Sequence, residues 1–398
     1  MSKPTKHMLD FMDKVLNGIG PREAGSKAER ETADLVSEYY SDGCDEVITE
    51  PFTVHPRAFL GFIPFVVLAY WVSTFFYWYT PIAALLIMSL AVFAFIQQLI
   101  LSKPFLDKLY PSAESQNVSG IIKPSGEVRR RVIFNAHTDA AYEFTIWYLF
   151  NKYNVIFMIS GILAIFLMFI AALLKVGFDF AGIQAEGFLN VMGYICLGLI
   201  PMSVPFMFFV SKDIVPGASD DLSGVATMMG VLENLKEMKS KGEAPKHTEI
   251  ILLATGSEEA GLRGSMAYVA KNAEKLREVE TFNVSLESME NPETLQVVTH
   301  ELFKAHHSPK LIGMLKDIAK RNDWTLDDAM IPFGGTDAAT FTQLGVHSTC
   351  LLGLPTKTWP TNYHTRRDTM EHVKPEGLDR GVDFCIELIK DLDKEISS

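Results

Sequence analysis

No Asp, Glu, Lys or Arg occurs between Arg57 and Lys103, between Lys152 and Lys175, or between Glu186 and Lys212. A helix needs about 20 apolar residues to cross the hydrocarbon core of a bilayer. The first stretch is long enough for two crossings and each of the others for one. Core helices of soluble proteins seldom run so far without a charge, and a signal anchor would account for one helix, not four. The first stretch divides at Tyr79-Thr80-Pro81, where Pro81 suits the first turn of a new helix. Trp71, Tyr77, Trp78 and Tyr79 gather at that turn, as interfacial aromatics do. The second pair of helices is expected at about 153–174 and 187–211, with Pro201 and Pro205 kinking the last one.

Hydrophobic residues make up 48% of the 398, an ordinary soluble value that conceals this segregation. The segments outside the runs carry the net charge of −12, which argues against nucleic acid as a partner. Cys44, Cys196, Cys350 and Cys385 are dispersed without a Cys-x-x-Cys pair, so neither a zinc ribbon nor a disulfide framework is expected. The first residues form an amphipathic helical pattern with acids where a signal peptide has its apolar core, so no cleavable secretory signal is expected.

Two hairpins, each crossing twice, return the chain to the same side every time. The expected organisation is therefore one water-exposed domain in three pieces, 1–57, 103–152 and 212–398, interrupted by transmembrane hairpins at 58–102 and 153–211. Arg57, Lys103, Lys108, Lys152 and Lys212 flank the near side, whereas Lys175 is the basic residue of the far-side loops. The positive-inside rule then makes the chain a multi-pass membrane protein with its exposed domain in the cytoplasm.

The exposed pieces alternate between helical and strand patterns: helix from about Ser26 to Tyr40, strand at Glu46–Val54, and a buried strand at Arg131–Ala136. Further on come helix at Leu222–Met238, strand at Glu249–Ala254, helix at Gly264–Asn272 and strand at Phe282–Leu286. Helix at Leu311–Arg321, strand at Val346–Leu352 and a terminal helix at Pro375–Lys394 complete an α/β layered pattern. Most of the chemistry-bearing motifs fall at strand ends, where open α/β sheets bind ligands. They are His137-Thr-Asp139, Ser219-Asp220-Asp221, Glu258-Glu259 and Tyr363-His364-Thr365. Singly, a His-x-Asp is an ordinary pair, an Asp-Asp before a helix is a cap, and a Glu-Glu after a strand is solvated. Together they supply the imidazole and carboxylate donors that zinc accepts.

The motifs resemble those of the zinc aminopeptidase family M28, the co-catalytic dizinc exopeptidases. The matching stretches are Ile19-Gly-Pro-Arg-Glu-Ala-Gly-Ser26, Ala136-His-Thr-Asp139 and Pro216-Gly-Ala-Ser-Asp-Asp-Leu-Ser-Gly224. Thr255-Gly-Ser-Glu-Glu-Ala-Gly-Leu-Arg-Gly-Ser265, Gly335-Thr-Asp337 and His364-Thr-Arg-Arg-Asp-Thr369 follow in the family's order. The resemblance implies a three-layer α/β/α domain with a mixed central sheet and two Zn2+ ions. It implies Asp220 as the bridging carboxylate, His137 and Glu287 completing one metal site, and Glu259 and His364 the other. Glu258 would be the general base, Asp139 would orient His137, and Asp221 would hold the turn after the bridge.

Two departures from the family pattern bear on function. The long separation of His137 from Asp220 is filled by the second apolar pair, and Arg366-Arg367 follows His364 where the family usually has neutral or acidic residues. The arginines read either as a basic patch facing lipid headgroups or as a clamp for a substrate carboxylate. The implied activity is removal of N-terminal residues from peptides. Carboxypeptidase or N-acyl-amino-acid amidohydrolase is the alternative, and a non-catalytic receptor or scaffold the third reading. His300, His306, His307 and His347 lack partners in the motif set and read as surface or core residues. Asp220 lies so few residues beyond the fourth run that the metal site is expected close to the bilayer, within reach of a hydrophobic peptide or acyl-amino-acid substrate. Composition does not fix the oligomeric state.

Overall fold

The computed structural model describes residues 3–355 and 362–397. The chain divides into two compact units. One comprises Met1–Pro56, Pro111–Tyr142 and Ile214–Ser398, the other Arg57–Tyr110 and Glu143–Asp213.

Eleven strands occur among the described residues: β1 (Glu46–Val54), β2 (Ala113–Ile122), β3 (Arg130–His137), β4 (Tyr142–Phe144), β5 (Val210–Ile214), β6 (Thr248–Thr255), β7 (Glu280–Glu287), β8 (Gln296–Glu301), β9 (Ala305–His306), β10 (Asp327–Ile331) and β11 (His347–Leu352). Nine of them form one sheet in the order β1-β2-β6-β3-β7-β11-β8-β10, with β9 paired to β8, while β4 and β5 pair separately. The sheet is mixed: β6, β3, β7 and β11 run parallel at its centre, β1 pairs antiparallel with β2 and β2 with β6, and β8 is antiparallel to β11 but parallel to β10. His137 sits opposite Thr255 in this register, so the ends of β3 and β6 open at one level.

The central strands are buried on both faces, and their side chains divide by parity. Val132, Phe134, Ile250, Leu252, Phe282 and Val284 join one cluster with helices Lys3–Asp13, Lys27–Ser41, Ser223–Ser240, Pro309–Arg321 and Pro375–Ser397. Ile133, Ile251 and Leu253 face the other way, against Tyr268, Val269 and Phe341 of helices Arg263–Asn272 and Ala338–Leu344. Alternation of period two with both faces covered is the arrangement of a parallel-centred sheet between helical layers. This is the mixed, helix-flanked sheet expected from the motifs.

β2 has no hydrophobic alternation in its sequence and was not anticipated. Its inward positions Ser115, Asn117 and Ser119 are small and polar, yet buried. Asn117 is spent on backbone, with Nδ2 donating to Gly264 O at 2.9 Å and Oδ1 accepting from Gly256 N at 3.0 Å. β8, β9, β10 and the short helix Ala338–Leu344 are likewise additions to the sequence reading.

In the second unit four helices are long and apolar enough to cross a membrane: Ala58–Tyr79, Pro81–Ile100, Thr145–Ala181 and Glu186–Phe208. The first pair breaks at Thr80 with Pro81 in the first turn, as expected. Two boundaries differ. The third helix continues from Asn154 to Ala181, past Lys175, whose ammonium lies over the Tyr77 and Trp78 rings at 4.5 and 5.5 Å. Those rings shield the charge, so it does not end the helix. The fourth run is not helical to 211: the α-helix ends at Ser203, a 3-10 turn carries Pro205 to Phe208, and Val210 begins β5. Proline removes the donors that would continue the α-helix.

Polar side chains tie the two hairpins of this unit together. Tyr77 Oη donates to Leu189 O at 2.7 Å, Trp71 Nε1 donates to Ser203 Oγ at 2.8 Å, and Tyr70 Oη donates to Cys196 O. Gly193 permits the approach, since a Cβ there would stand 2.6 Å from Trp78 and 2.7 Å from Tyr77. The outward positions, Phe65, Leu86, Leu90, Ile159 and Phe180 among them, are exposed and apolar.

Candidate metal centre

His137 ends β3, Glu287 ends β7, and Glu258 and Glu259 follow the end of β6, so three neighbouring parallel strands deliver four donors. Asp220 comes from the turn before helix Ser223–Ser240, and His364 from the loop before Pro375–Ser397. Asp220 lies between the two imidazoles. Its Oδ1 is 3.2 Å from His137 Nε2, and its Oδ2 is 3.0 Å from His364 Nε2. Glu287 Oε2 approaches His137 Nε2 to 3.7 Å, and Glu259 Oε1 approaches His364 Nε2 to 3.1 Å. Two donor sets result, His137 with Asp220 and Glu287, and Asp220 with Glu259 and His364, each with its donor atoms within 4.8 Å of one another. Residues distant in sequence thus meet in one carboxylate-linked pair of sets. Glu258 forms a third grouping with His137 and Glu259, its Oε2 4.0 Å from His137 Nε2.

A ring of acceptors fixes these donors. Asp139 Oδ1 lies 3.3 Å from His137 Nδ1, and its two oxygens accept from the backbone N–H groups of Glu258 and Glu259, each at 3.0 Å. One carboxylate therefore orients the imidazole and both glutamates. Asp221 accepts from His137 N at 3.2 Å, Gly224 N at 3.2 Å and Ser288 N at 3.1 Å, which joins β3, the helix start and the end of β7. The Asp220–Asp221 peptide is cis.

Several further residues, some of them members of the same motifs, hold the centre in place. Asp368 accepts from Ser219 N at 2.7 Å and Asp220 N at 3.1 Å, holding the Asp220 turn from the His364 loop. Glu290 accepts from Ser219 Oγ at 2.6 Å and Asn362 Nδ2 at 3.0 Å, joining the same two loops. Glu29 accepts from Gly25 N at 2.7 Å, Ser257 N at 2.6 Å and Ser257 Oγ at 2.9 Å, anchoring the residue before Glu258. Arg22 is fully buried and donates to Thr138 O, Pro216 O and Gly217 O at 2.8–2.9 Å. Asp337 accepts from Thr255 Oγ1 and Asn135 Nδ2 beneath the centre. Their signal was membership in the quoted motifs for Arg22, Asp337 and Asp368. Glu29 and Glu290 gave none, because nothing in a helical Glu or a loop Glu marks it as an internal acceptor.

The electrostatics follow from burial. Burial pushes the Glu258 carboxyl well above its usual range, with His137 opposing and Glu259, Asp337 and Asp139 reinforcing. Glu287 rises through burial and then Asp221. Asp220 is held low despite burial, by hydrogen bonds with His137 and His364. Burial opposes charge on His137, and hydrogen bonds with Asp139 and Asp220 overcome it. Burial raises Asp368 to about 7 and Glu29 to about 8. So many carboxylates sharing two imidazoles leave an excess of buried negative charge, which is costly unless cations meet it. Glu259 Oε1 is buried, with the His364 imidazole as its polar neighbour at 3.1 Å. Buried carboxylate and imidazole donors converging in two such sets fit divalent cations, zinc among them.

The other histidines lie elsewhere. His300 and His306 stack 5.6 Å apart, His307 lies 3.2 Å from Glu301 Oε1, and His347 pairs with Ser308 Oγ at 2.9 Å. Arg366 and Arg367 are exposed.

Residues 203–389 match the model of Peptidase family M28. That segment holds Asp220, Glu258, Glu259, Glu287 and His364, whereas His137 and Asp139 precede it. Aminopeptidase YwaD of Bacillus subtilis (strain 168) is 29% identical over 189 residues, 46% of this chain, and the match spans only 37% of that protein's length. The solved structure of BSAP, a zinc aminopeptidase from Bacillus subtilis, superposes with a TM-score of 0.57 at 18% identity, over 98% of this chain and 95% of that one. A Bacteroides thetaiotaomicron glutaminyl cyclase bound to N-acetylhistamine gives 0.55 at 12% identity, over 97% of each chain. At these identities the likeness establishes the fold, which these two kinds of enzyme share.

Proposed function

We propose that this chain, with its match to peptidase family M28, is a multi-pass membrane zinc metallopeptidase that removes N-terminal residues from peptides. The observation that carries the reading is the position of Asp220 between His137 and His364, one carboxylate oxygen toward each. In this reading His137, Asp220 and Glu287 hold one Zn2+, and Asp220, Glu259 and His364 hold the other. The ion pair, when bound, supplies Lewis acidity for the scissile carbonyl and lowers the pKa of the attacking water toward about 7.

The chain's own residues do the rest. Glu258 takes the proton of the attacking water and returns it to the leaving amine. Its Oε2 lies 4.0 Å from His137 Nε2, beside the donor sets. Asp139 keeps the His137 imidazole in one orientation and fixes the backbone of both glutamates. Asp221 and Asp368 hold the turn that carries Asp220.

The exposed pair Arg366 and Arg367, one residue beyond His364, favours the second reading, a carboxypeptidase or N-acyl-amino-acid amidohydrolase. A non-catalytic scaffold is disfavoured by the full donor set together with Glu258. The deciding experiment compares free-amine aminoacyl amides, their N-acetylated counterparts and N-acyl amino acids, with and without chelator. Chelator-sensitive hydrolysis of the free amines alone supports the aminopeptidase reading. Turnover of the N-blocked substrates moves it to the amidohydrolase. Cyclisation of N-terminal glutamine without hydrolysis overturns both.

The four apolar helices are read as transmembrane, with the sheet-bearing unit in the cytoplasm. Their length, their hydropathy and the flanking basic residues support this.

A further inference from the structure

Among the described residues of the sheet-bearing unit, the large apolar side chains left exposed are Leu302, Phe303, Met330 and Phe333, at 38%, 67%, 42% and 52%. They are not scattered. Leu302 and Phe303 form the tip between β8 and β9, Met330 lies in β10, and Phe333 follows it. Parallel pairing sets Met330 opposite His300 and Ile331 opposite Glu301, and Leu302 N donates to Ile331 O at 2.9 Å. The two tips are therefore held side by side at one end of the sheet. Their base is tied down: Glu301 accepts from Thr336 Oγ1 at 2.6 Å and lies 3.2 Å from His307 Nε2. Phe303 adopts a φ of 66°, a left-handed conformation that a bulky residue takes at a cost.

Single exposed apolar residues are ordinary, whereas a unit that gathers all of its large ones at one place marks a contact surface. We infer that these two tips insert into the interfacial layer of the lipid bilayer. The inference rests on the transmembrane reading of the four helices, and that reading supplies the occupant. The unit is joined to those helices by four links, Pro56 to Ala58, Ile100 to Pro111, Tyr142 to Thr145 and Phe208 to Ile214. A lipid surface is then permanently present at high effective concentration, where a soluble partner must be captured. Aromatic, leucine and methionine side chains exposed together have the composition of an interfacial anchor.

The test uses the full-length protein in phospholipid vesicles, with an environment-sensitive fluorophore on Phe303→Cys or Phe333→Cys and lipid-borne quenchers. Leu90→Cys on an apolar helix and Lys241→Cys on the exposed end of helix Ser223–Ser240 serve as references, and the parent chain reports labelling of the native cysteines. The labels at 303 and 333 are expected to lose about half of their emission, as at 90, while the label at 241 is spared. If 90 is quenched and 303 and 333 behave like 241, the inference fails although the helices span. If the labels at 303 and 333 are shielded from water but untouched by lipid quenchers, a second copy or another part of the chain covers the tips, and the inference fails. If 90 itself escapes quenching, the transmembrane reading falls and takes this one with it.

Discussion

Asp220 shows how much one side chain is asked to do. Its two oxygens face different imidazoles, and its backbone N–H is held by Asp368. Removing the carboxylate takes a shared donor from both sets, so Asp220→Ala is expected to abolish binding of both zinc equivalents, measured by metal analysis of purified protein. Retention of two equivalents with full activity removes Asp220 from the centre. Glu258 is expected to behave differently. Glu258→Gln preserves the shape and the hydrogen bond from its backbone to Asp139, so both metals remain while kcat falls by about 10²–10⁴-fold. A small change assigns the proton transfer to another group. The arginine pair belongs to this scale too. If Arg366 and Arg367 clamp a carboxylate, replacing both with Ala raises KM for substrates with a free C-terminus and leaves amidated ones unchanged. Equal responses leave the pair a surface patch.

At the scale of elements, the loop after β6 is positioned from three directions: Asp139 of the β3 end, Glu29 of helix Lys27–Ser41, and Asn117 of β2. The start of helix Arg263–Asn272 closes on this loop so tightly that a Cβ at Gly264 would stand 2.0 Å from Gly256 O. Asn117→Ala leaves Gly256 N and Gly264 O buried without that partner, and an unpaired buried group costs about 1–3 kcal/mol. The variant is expected to unfold at lower temperature by calorimetry and to lose kcat with little change in metal content. Unchanged stability means that water replaces the amide. β2 escapes sequence reading for the same reason that it matters. Ser115, Asn117 and Ser119 are buried on one face, Asn117 to bind backbone, so the hydrophobic period that announces a strand is absent.

For the whole molecule, the outward faces of the four apolar helices set the expectation. Side chains such as Leu86, Leu90 and Phe180 are exposed, and a bilayer is the solvent in which that exposure is favourable. Native thiols do not suit a topology test, because Cys350 and Cys385 are buried. An introduced Lys241→Cys is expected to react with a membrane-impermeant reagent in inside-out vesicles but not in intact cells. Labelling from outside intact cells reverses the proposed orientation. The covalent links to the helices carry a further expectation for substrates. In vesicles, matched peptides of increasing apolar length should show rising kcat/KM. A flat response reduces the helices to an anchor.

Two properties were determined by the sequence alone because they are local. An uncharged run is apolar whatever surrounds it, so four membrane-length helices were legible before any contact was known. Motifs such as Glu258-Glu259-Ala-Gly-Leu-Arg-Gly-Ser265 keep their spacing wherever they sit, so the M28 resemblance and its mixed, helix-flanked sheet were legible too. Tertiary structure alone decided what lies next to what. Only the parallel register of β3, β6 and β7 brings His137, Glu258 and Glu287 to one end of the sheet. Only the folded loops set Asp220 between two imidazoles that stand far from it in sequence. The supporting acceptors Glu29, Glu290 and Asn117 were hidden for the same reason. A polar side chain far from the motif in sequence shows its purpose only when folding buries it against the backbone it holds, since burial is what makes its hydrogen bonds obligatory.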